Sequence, residues 1–576
     1  MGGIALLVRF YHRKKIRLFM WIFIVISIAL FAWLCFLMIP QSGYYEGRAN
    51  NLHERERTIK AARGRIYDRN GVVLADNQSV CTITVIHNQI TDPERVIQVL
   101  SEELKLDEAA VRKRVEKVSS IEKIKSNVPK AVGDVIRSYK LDGVNVDEDY
   151  ARYYPYNELA SKVLGFTGGD NQGIIGLEVK YDDYLAGTEG AILTTTDVRG
   201  LRVENSAEKR IEPVNGLDLY TSIDYNIQAY CQQIADKMLE QKEAKGVSIV
   251  LMNPQNGEIY AMVNAPEFNL NEPYVLTTSA GADVSGAGLS DNDKLNQMWR
   301  NTSINDTYEP GSTFKIITST AALEENVVSL SDTFSCPGFR IVEDRRIRCH
   351  KTSGHGHETF LEGFMNSCNP VFIDVGARVG VDSMYKYFDK LGLFDKTGVD
   401  LPGESGSIMH KAANVGAVEL ATISFGQSFQ ITPLQLLRAV SAVVNGGTLV
   451  TPHFGVKVSD ETASNVEVFQ YETSDSGLSQ ETCETMKMML EKVVAEGTGN
   501  KAYIEGYSIG GKTATSQKLP RGSGKYIASF LGFSPADDPQ IIGIILIDEP
   551  VGTYYGGTIA APVMKEIYEN VLPYLL

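Results

Sequence analysis

Leu18 to Ile39 is an unbroken run of 22 uncharged, mostly apolar residues. As a helix, that length is enough to cross a bilayer. Polar and charged residues fill 41–62, which reads as a juxtamembrane helix or linker. Short apolar runs on either side of Asn70-Gly71 predict a hairpin. From 92 to 150 two charged, amphipathic stretches alternate with short loops, and Arg152-Tyr153-Tyr154-Pro155 and the glycine-rich 165–190 predict irregular structure. The pattern shifts after Pro213-Val214-Asn215-Gly216. Asp224 reads as the N-cap of a helix with Ile227, Cys231, Ile234 and Met238 on one face, spaced four, three and four. Residues 246–252 and 258–263 predict two strands joined by the turn Asn253-Pro254-Gln255-Asn256-Gly257. Near the C-terminus, 507–516, 526–533 and 541–547 predict three more, with turn-rich connections at 520–524 and 535–539. The middle, 312–500, reads as mostly helical. The expected fold class is therefore α+β and multidomain, with a mixed sheet covered by helices in the C-terminal part.

Composition adds a location. The chain has 576 residues and a net charge of −15, with 43% hydrophobic and 22% charged residues. That is globular and long enough for two or more domains. An acidic surface disfavours nucleic acid, whose phosphates need basic partners. Arg9, Arg13, Lys14, Lys15 and Arg17 precede the apolar run with no acid among them, which predicts a cytoplasmic N-terminus and an exported body. A cleaved signal would have a shorter apolar core ending at small residues; Leu37-Met38-Ile39-Pro40 does not offer that. The rest of the chain carries 51 basic and 71 acidic residues, net −20, an acidic ectodomain on one tether. The expected division is a cytoplasmic tail at 1–17, an anchor at 18–39, an N-terminal pedestal domain at 40–215 and a catalytic domain at 216–576.

Candidate chemistry centres on Glu309-Pro310-Gly311-Ser312-Thr313-Phe314-Lys315. Pro310-Gly311 breaks the chain and an apolar run follows, so Ser312 stands at a helix start. Residues three apart share a helix face, which puts Lys315 over Ser312. A lysine in a closed pocket can shed its proton and act as base to a hydroxyl. The helix N-terminus offers N–H groups to an oxyanion. Alone, S-x-x-K also fits a serine cap with a solvated lysine. A second stretch, Asn366-Ser367-Cys368-Asn369-Pro370, lies between two helical patterns and could relay a proton through Ser367 and hold a carbonyl through Asn369; it also fits a plain helix cap. The third, Gly510-Gly511-Lys512-Thr513-Ala514-Thr515, is a predicted strand that could hold a peptide carboxylate through Lys512, Thr513 and Thr515. It equally fits an edge strand guarded by a lysine. Gly506 to Thr513 also satisfies G-x-x-x-x-G-K-[ST], but a phosphate loop must open a helix, and nothing here does.

S-x-x-K, S-x-N and K-T-x in this order, 55 residues from Ser312 to Ser367 and 143 from Asn369 to Lys512, resemble the penicilloyl-serine transferase signature. Arg63-Gly64-Arg65-Ile66-Tyr67-Asp68-Arg69-Asn70-Gly71, Arg152-Tyr153-Tyr154-Pro155, Gly176-Leu177-Glu178, Ser424-Phe425-Gly426-Gln427 and Thr432-Pro433-Leu434-Gln435 resemble the class B penicillin-binding proteins, nearest their septal and sporulation branch, without room for a C-terminal PASTA domain. The resemblance implies a peptidoglycan D,D-transpeptidase with Ser312 as nucleophile and Lys315 as candidate base. It implies Ser367 and Asn369 as proton relay and substrate holder, with Lys512, Thr513 and Thr515 on the substrate carboxylate. It assigns the oxyanion hole to the backbone N–H groups of Ser312 and Thr515. It further implies stem peptides on lipid-linked precursor polymer as substrate, β-lactams as covalent ligands, and a membrane-embedded wall glycosyltransferase as partner. A D,D-carboxypeptidase, a β-lactam sensor and a non-catalytic scaffold remain alternatives. Ala514 stands where the family usually has glycine, so crowding of a ligand or a twist of the strand is expected there.

One cluster lies outside this scheme. Of seven cysteines, Cys336 and Cys349 fall with His350, His355 and His357 inside 22 residues. Cys336, Cys349 and His355 are candidate structural zinc ligands, with Asp344 as an oxygen ligand. A Cys336–Cys349 disulfide and a cluster with no joint role are the alternatives. The chemistry itself calls for no cofactor.

Overall fold

The computed structural model describes residues 2–42, 44, 54–119, 121–195, 209–276 and 288–576. An N-terminal helix, Gly2–Met38, carries the apolar run, and its stretch from Lys15 to Met38 is long and apolar enough to cross a membrane. Of the expected juxtamembrane helix or linker, residues 43 and 45–53 lie outside those described. Glu54–Ile59 is a strand rather than helix or linker, because it pairs with Gly190–Thr195, which in turn pairs with Lys209–Ile211.

The remainder folds as two compact units that interleave along the chain. One takes residues 79–150 together with 188–214 and the N-terminal segment. In it the expected amphipathic stretches are helices, Pro93–Leu104 and Glu108–Val115, capped by Asp92 and Asp107. With Lys130–Ser138 they bury Ile97, Leu100, Val111 and Ile136 against Ile83 and Val128.

The other unit takes 62–78, 151–187 and 215–576. Three separated sequence motifs meet in it at one carboxylate. Glu178, fully buried, receives Arg63 Nε and Arg152 Nε at 2.6 Å each, and the Tyr154 hydroxyl at 3.2 Å. A buried charge is tolerated only when paired and hydrogen-bonded in this way. The Asn70-Gly71 turn forms as expected: Asp68 Oδ1 accepts from the N–H groups of Asn70 and Val72, and Gly71 takes φ 86°. Within the glycine-rich 165–190, two short helices, Gly176–Lys180 and Asp182–Leu185, replace the expected irregular backbone.

The five-stranded sheet draws its strands from both ends of the C-terminal part. Its order is Ile259–Ala265, Gly246–Met252, Ile541–Asp548, Tyr526–Ser534, Gly510–Gln517. All four ladders are antiparallel, which refines the expected mixed sheet. The reason is local: tight turns join three of the pairs, and a short turn can join only antiparallel neighbours. Helices Tyr225–Gln241 and Gly556–Leu575 cover one face, with Ile227, Cys231, Ile234 and Met238 all buried as expected. Asp224 caps the first of them, accepting from the N–H groups of Asn226 and Ile227. Helices Lys315–Glu324, Asn369–Lys390, Pro433–Val444 and Gln480–Ala495 supply the core associated with the other face. Residues 312–500 are less purely helical than their composition suggests. Two hairpins, Thr333–Cys336 with Gly356–Thr359 and Phe339–Val342 with Arg345–Arg348, interrupt them as a small ribbon. Its exposed, arginine-rich strands carry little of the apolar alternation that marks a half-buried strand.

Candidate active site

The Ser312 turn is built by close backbone approach. Gly311 has φ 60°, and its N–H donates to Gly426 O at 2.9 Å. A Cβ on Gly426 would lie 2.1 Å from Gly311 O, so Ser424-Phe425-Gly426-Gln427 cradles the turn only because position 426 is glycine. Residues Gly311–Phe314 form a 3-10 turn that runs straight into helix Lys315–Glu324. Phe314, fully buried, locks the turn edge-on against Phe388 and Phe429, with ring centroids at 5.3 and 4.6 Å. Each such aromatic pair contributes about 0.5–1.5 kcal/mol beyond its buried area. Ser312 itself stays partly exposed.

Lys315 is fully buried, and all three of its bonds run to the second motif: Ser367 O at 2.7 Å, Asn369 Oδ1 at 2.8 Å and Ser367 Oγ at 3.3 Å. Burial pushes its pKa down to about 8, against an opposing pull from Cys368, Cys349 and Glu358. Desolvation disfavours the ammonium, which is what a general base near neutral pH requires. The lysine is thus connected to Ser367 and Asn369 more intimately than its spacing to Ser312 foretells.

Ser367 occupies an unusual position. Helix Phe360–Met365 ends with Ser367 N–H donating to Phe364 O and Cys368 N–H to Gly363 O, the paired bonds of a Schellman motif. Ser367 fills the left-handed site of that motif, φ 56°, normally a glycine's. The plain reading of this stretch as a helix cap holds, and the same cap geometry aims the serine carbonyl and hydroxyl at Lys315. Asn369 opens helix Asn369–Lys390, and its Nδ2 donates to Arg348 O at 3.3 Å.

Strand Gly510–Gln517 lies at the sheet edge, so one side of its backbone has no partner strand. That forbids the phosphate-loop alternative, which needs a helix at this point. Lys512 is fully buried, and its Nζ has no hydrogen-bond partner. Burial, with a further push from Lys315, holds its pKa well below the usual lysine value. A buried cation site lacking a counter-ion is where an incoming carboxylate gains most. Thr513 Oγ1 is 3.3 Å from Thr498 Oγ1, and Thr515 Oγ1 accepts from Gly556 N–H at 3.0 Å. The expected twist at Ala514 does not occur: the ladder runs in register from Gly510–Phe533 to Gln517–Tyr526. Glycines on other elements house the residue. Gly311 faces its methyl, and a Cβ on Gly556 would lie 2.1 Å from its carbonyl oxygen.

The cysteine cluster gains a member. Cys336 Sγ, Cys349 Sγ, a His355 ring nitrogen and Cys368 Sγ all lie within 4.8 Å of one another. Cys368, between Ser367 and Asn369, is the member that the sequence hides, 19 residues beyond Cys349. Asp344 is exposed and pairs with Arg345, and His357 is exposed, so neither joins the group. His350 Nδ1 is 3.8 Å from Cys349 Sγ but stands outside the mutual cluster.

The sequence matches the penicillin-binding protein transpeptidase domain over residues 247–569 and the penicillin-binding protein dimerisation domain over 58–221. It is 40% identical over 536 residues to stage V sporulation protein D of Bacillus subtilis, covering 92% of this chain and 80% of that one. It is 29% identical over 554 residues to peptidoglycan D,D-transpeptidase FtsI of Escherichia coli, covering 94% and 88%. The fold is that of penicillin-binding protein 2X from Streptococcus thermophilus, with a TM-score of 0.72 at 22% identity over 90% of this chain and 80% of that one. With its serine, lysine and asparagine brought together at one edge of the sheet, this chain belongs to the class B penicillin-binding proteins.

Proposed function

We propose that the protein is a membrane-anchored peptidoglycan D,D-transpeptidase. Ser312 Oγ attacks the carbonyl between the two terminal D-alanines of a stem peptide. An ester to the serine forms, the peptide C–N bond breaks, and the departing D-alanine amine takes a proton relayed through Lys315 and Ser367. An amine on a neighbouring stem then takes the acyl group, restoring the serine and closing the cross-link. Lys512, with Thr513 and Thr515, holds the substrate carboxylate, and the Ser312 and Thr515 N–H groups receive the oxyanion. β-Lactams acylate the same serine. The observation that carries this reading is the buried Lys315, bonded to Ser367 and Asn369 at the foot of the Ser312 turn, with the unpaired Lys512 nearby.

The five basic residues before the apolar run support an N-terminus in the cytoplasm and a catalytic unit outside. The N-terminal part, 40–215, serves as a non-catalytic pedestal, and a membrane-embedded wall glycosyltransferase supplies the glycan. The 40% identity to a sporulation protein favours spore or septal wall synthesis. Covalent labelling by a fluorescent penicillin tests the assignment: Ser312→Ala abolishes it while leaving the protein folded, and a labelled Ser312→Ala adduct would refute it. Incubation with stem pentapeptide and an amine acceptor separates cross-linking from hydrolysis.

A further inference from the structure

We propose that Glu309 and Arg521 are positioning residues: their ion pair clasps the hairpin that follows strand Gly510–Gln517 to the Ser312 turn, and so sets the spacing between the Ser312 and Thr515 N–H groups. The clasp stands on geometry; its effect on the oxyanion hole rests on the acyl-enzyme reading above.

Glu309 lies three residues before Ser312 and is 8% exposed. Both of its oxygens are used. Oε1 accepts from Ser428 N–H at 2.9 Å, and Oε2 accepts from Arg521 Nη2 at 2.5 Å. Arg521 lies six residues beyond Thr515, in the connection between strands Gly510–Gln517 and Tyr526–Ser534. Its Nη1 donates to Gln517 O at 2.8 Å. One guanidinium thus holds both the end of the strand and the carboxylate beside the turn. Its donors sit in a rigid planar fork, so gripping two elements also fixes their separation. An exposed ion pair contributes little, because water screens it. Here the carboxylate is buried, and a buried charge that loses its partner is strongly destabilising.

The packing shows why a clasp is needed. On the strand face that meets the turn, Lys512 and Ala514 are buried. Gly311 approaches Ser516 so closely that a Cβ there would lie 2.5 Å from Ser516 Oγ. Just past that contact a cavity of about 210 Å³ opens between Tyr308 and Gln430 and the strand end from Ser516 to Leu519. The buried hydroxyls of Ser516 and Tyr308 line it, and neither has a hydrogen-bond partner in the protein. A gap leaves its lining without partner atoms, so packing does not hold this end of the strand against the turn. The base of the hairpin is secured on its far side, where Lys518 pairs with Asp548 and Glu549, and Lys525 with Glu549. From 519 to 524, among the described residues, only Arg521 forms an ion pair back to the Ser312 turn. Two N–H groups that share one oxyanion must be set in place before the charge develops. One is on the turn and the other is on the strand, and Glu309 with Arg521 joins the two.

The test uses full-length protein in detergent and resolves penicillin labelling into a pre-acylation dissociation constant and a first-order acylation constant. Arg521→Ala lowers the acylation constant about 10- to 100-fold, the scale of a small misplacement. The dissociation constant stays within about twofold, because Lys512 and Thr513 still hold the carboxylate. Glu309→Gln, which keeps an acceptor for Ser428 N–H, loses as much. The double variant is no slower than the worse single one, as for partners in one interaction, and Arg521→Lys recovers most of the rate. A second arm needs no chemistry. In a Ser312→Ala background, adding Arg521→Ala speeds amide exchange across 516–525 about 10-fold, the scale of one lost hydrogen bond to a charged group. Unchanged exchange overturns the clasp. On a wild type that acylates, an unchanged acylation constant, additive losses, or a loss confined to the dissociation constant overturns the positioning role. A wild type that penicillin leaves unlabelled overturns the acyl-enzyme reading and the positioning role with it, while the exchange arm still decides the clasp.

Discussion

On one side of the Ser367-Cys368-Asn369 turn the protein is a packed core; on the other it is a ribbon with almost nothing buried but thiols. The first wall sets Phe314, Phe360, Phe364, Phe372 and Phe388 at 0–1% exposure around the Ser312 turn and Lys315. The second leaves Ile341 62% exposed and meets the first through polar links, Arg340 with Asp374 and Asn369 with Arg348. The difference teaches where each kind of precision comes from. Apolar packing can fix a lysine because it excludes water from every direction at once. A short ribbon cannot bury enough surface to do this, so its position depends on a few directional bonds.

Four substitutions sharpen or break that contrast. The largest effect falls on the lysine the core wall encloses. Lys315→Met slows penicillin acylation by about 100- to 10,000-fold without lowering the melting temperature, since an apolar side chain suits that site at least as well as an amine. In the wild type the acylation rate should climb with pH through about 8, because only the neutral amine accepts a proton and burial has placed its midpoint there; a flat profile between pH 6 and 9 would remove Lys315 as the base. Next comes the packing itself. Phe314→Ala leaves a cavity under the nucleophile turn and should cost about 3–5 kcal/mol in urea unfolding.

Ser367→Gly divides stability from activity. Glycine relieves the left-handed backbone, so stability rises by up to about 1 kcal/mol, while loss of the hydroxyl slows acylation about 100-fold. A variant that gained stability and kept its rate would mean that Ser367 is only a cap. The smallest effect belongs to the ribbon: Ile341→Ala should stay within about 0.5 kcal/mol of wild type. A cost near that of Phe314→Ala would show that the ribbon has a core of its own and dissolve the contrast.

Most of the sheet and of the helix Tyr225–Gln241 that covers it is legible in the sequence, because the signals are contiguous. The spacing of Ile227, Cys231, Ile234 and Met238 marks a buried helix face, and Asp224 marks its start. The five sheet strands lie within a few residues of the apolar runs that predict them. The ribbon escapes that reading: Arg345-Arg346-Ile347-Arg348 carries charge where a half-buried strand would alternate, so only the turn glycines and the thiols hint at structure there. Ser367 was visible as a motif, but its backbone was not, since a left-handed serine is set by the bonds closing helix Phe360–Met365. The concern over Ala514 failed for a related reason. The glycines that make room for it, Gly311 and Gly556, are distant in the chain and close only in space.

By itself the sequence determined the apolar N-terminal helix, the helices and strands with strong periodicity, and the three motifs with their order. These depend on neighbours along the chain, whose spacing is fixed by covalent geometry. The tertiary structure alone decided that Lys315 reaches Ser367 and Asn369, that Glu178 gathers two arginines, and that Cys368 joins Cys336, Cys349 and His355. Such meetings depend on the path of the whole backbone, which brings residues far apart in sequence to a common point only once the core has packed.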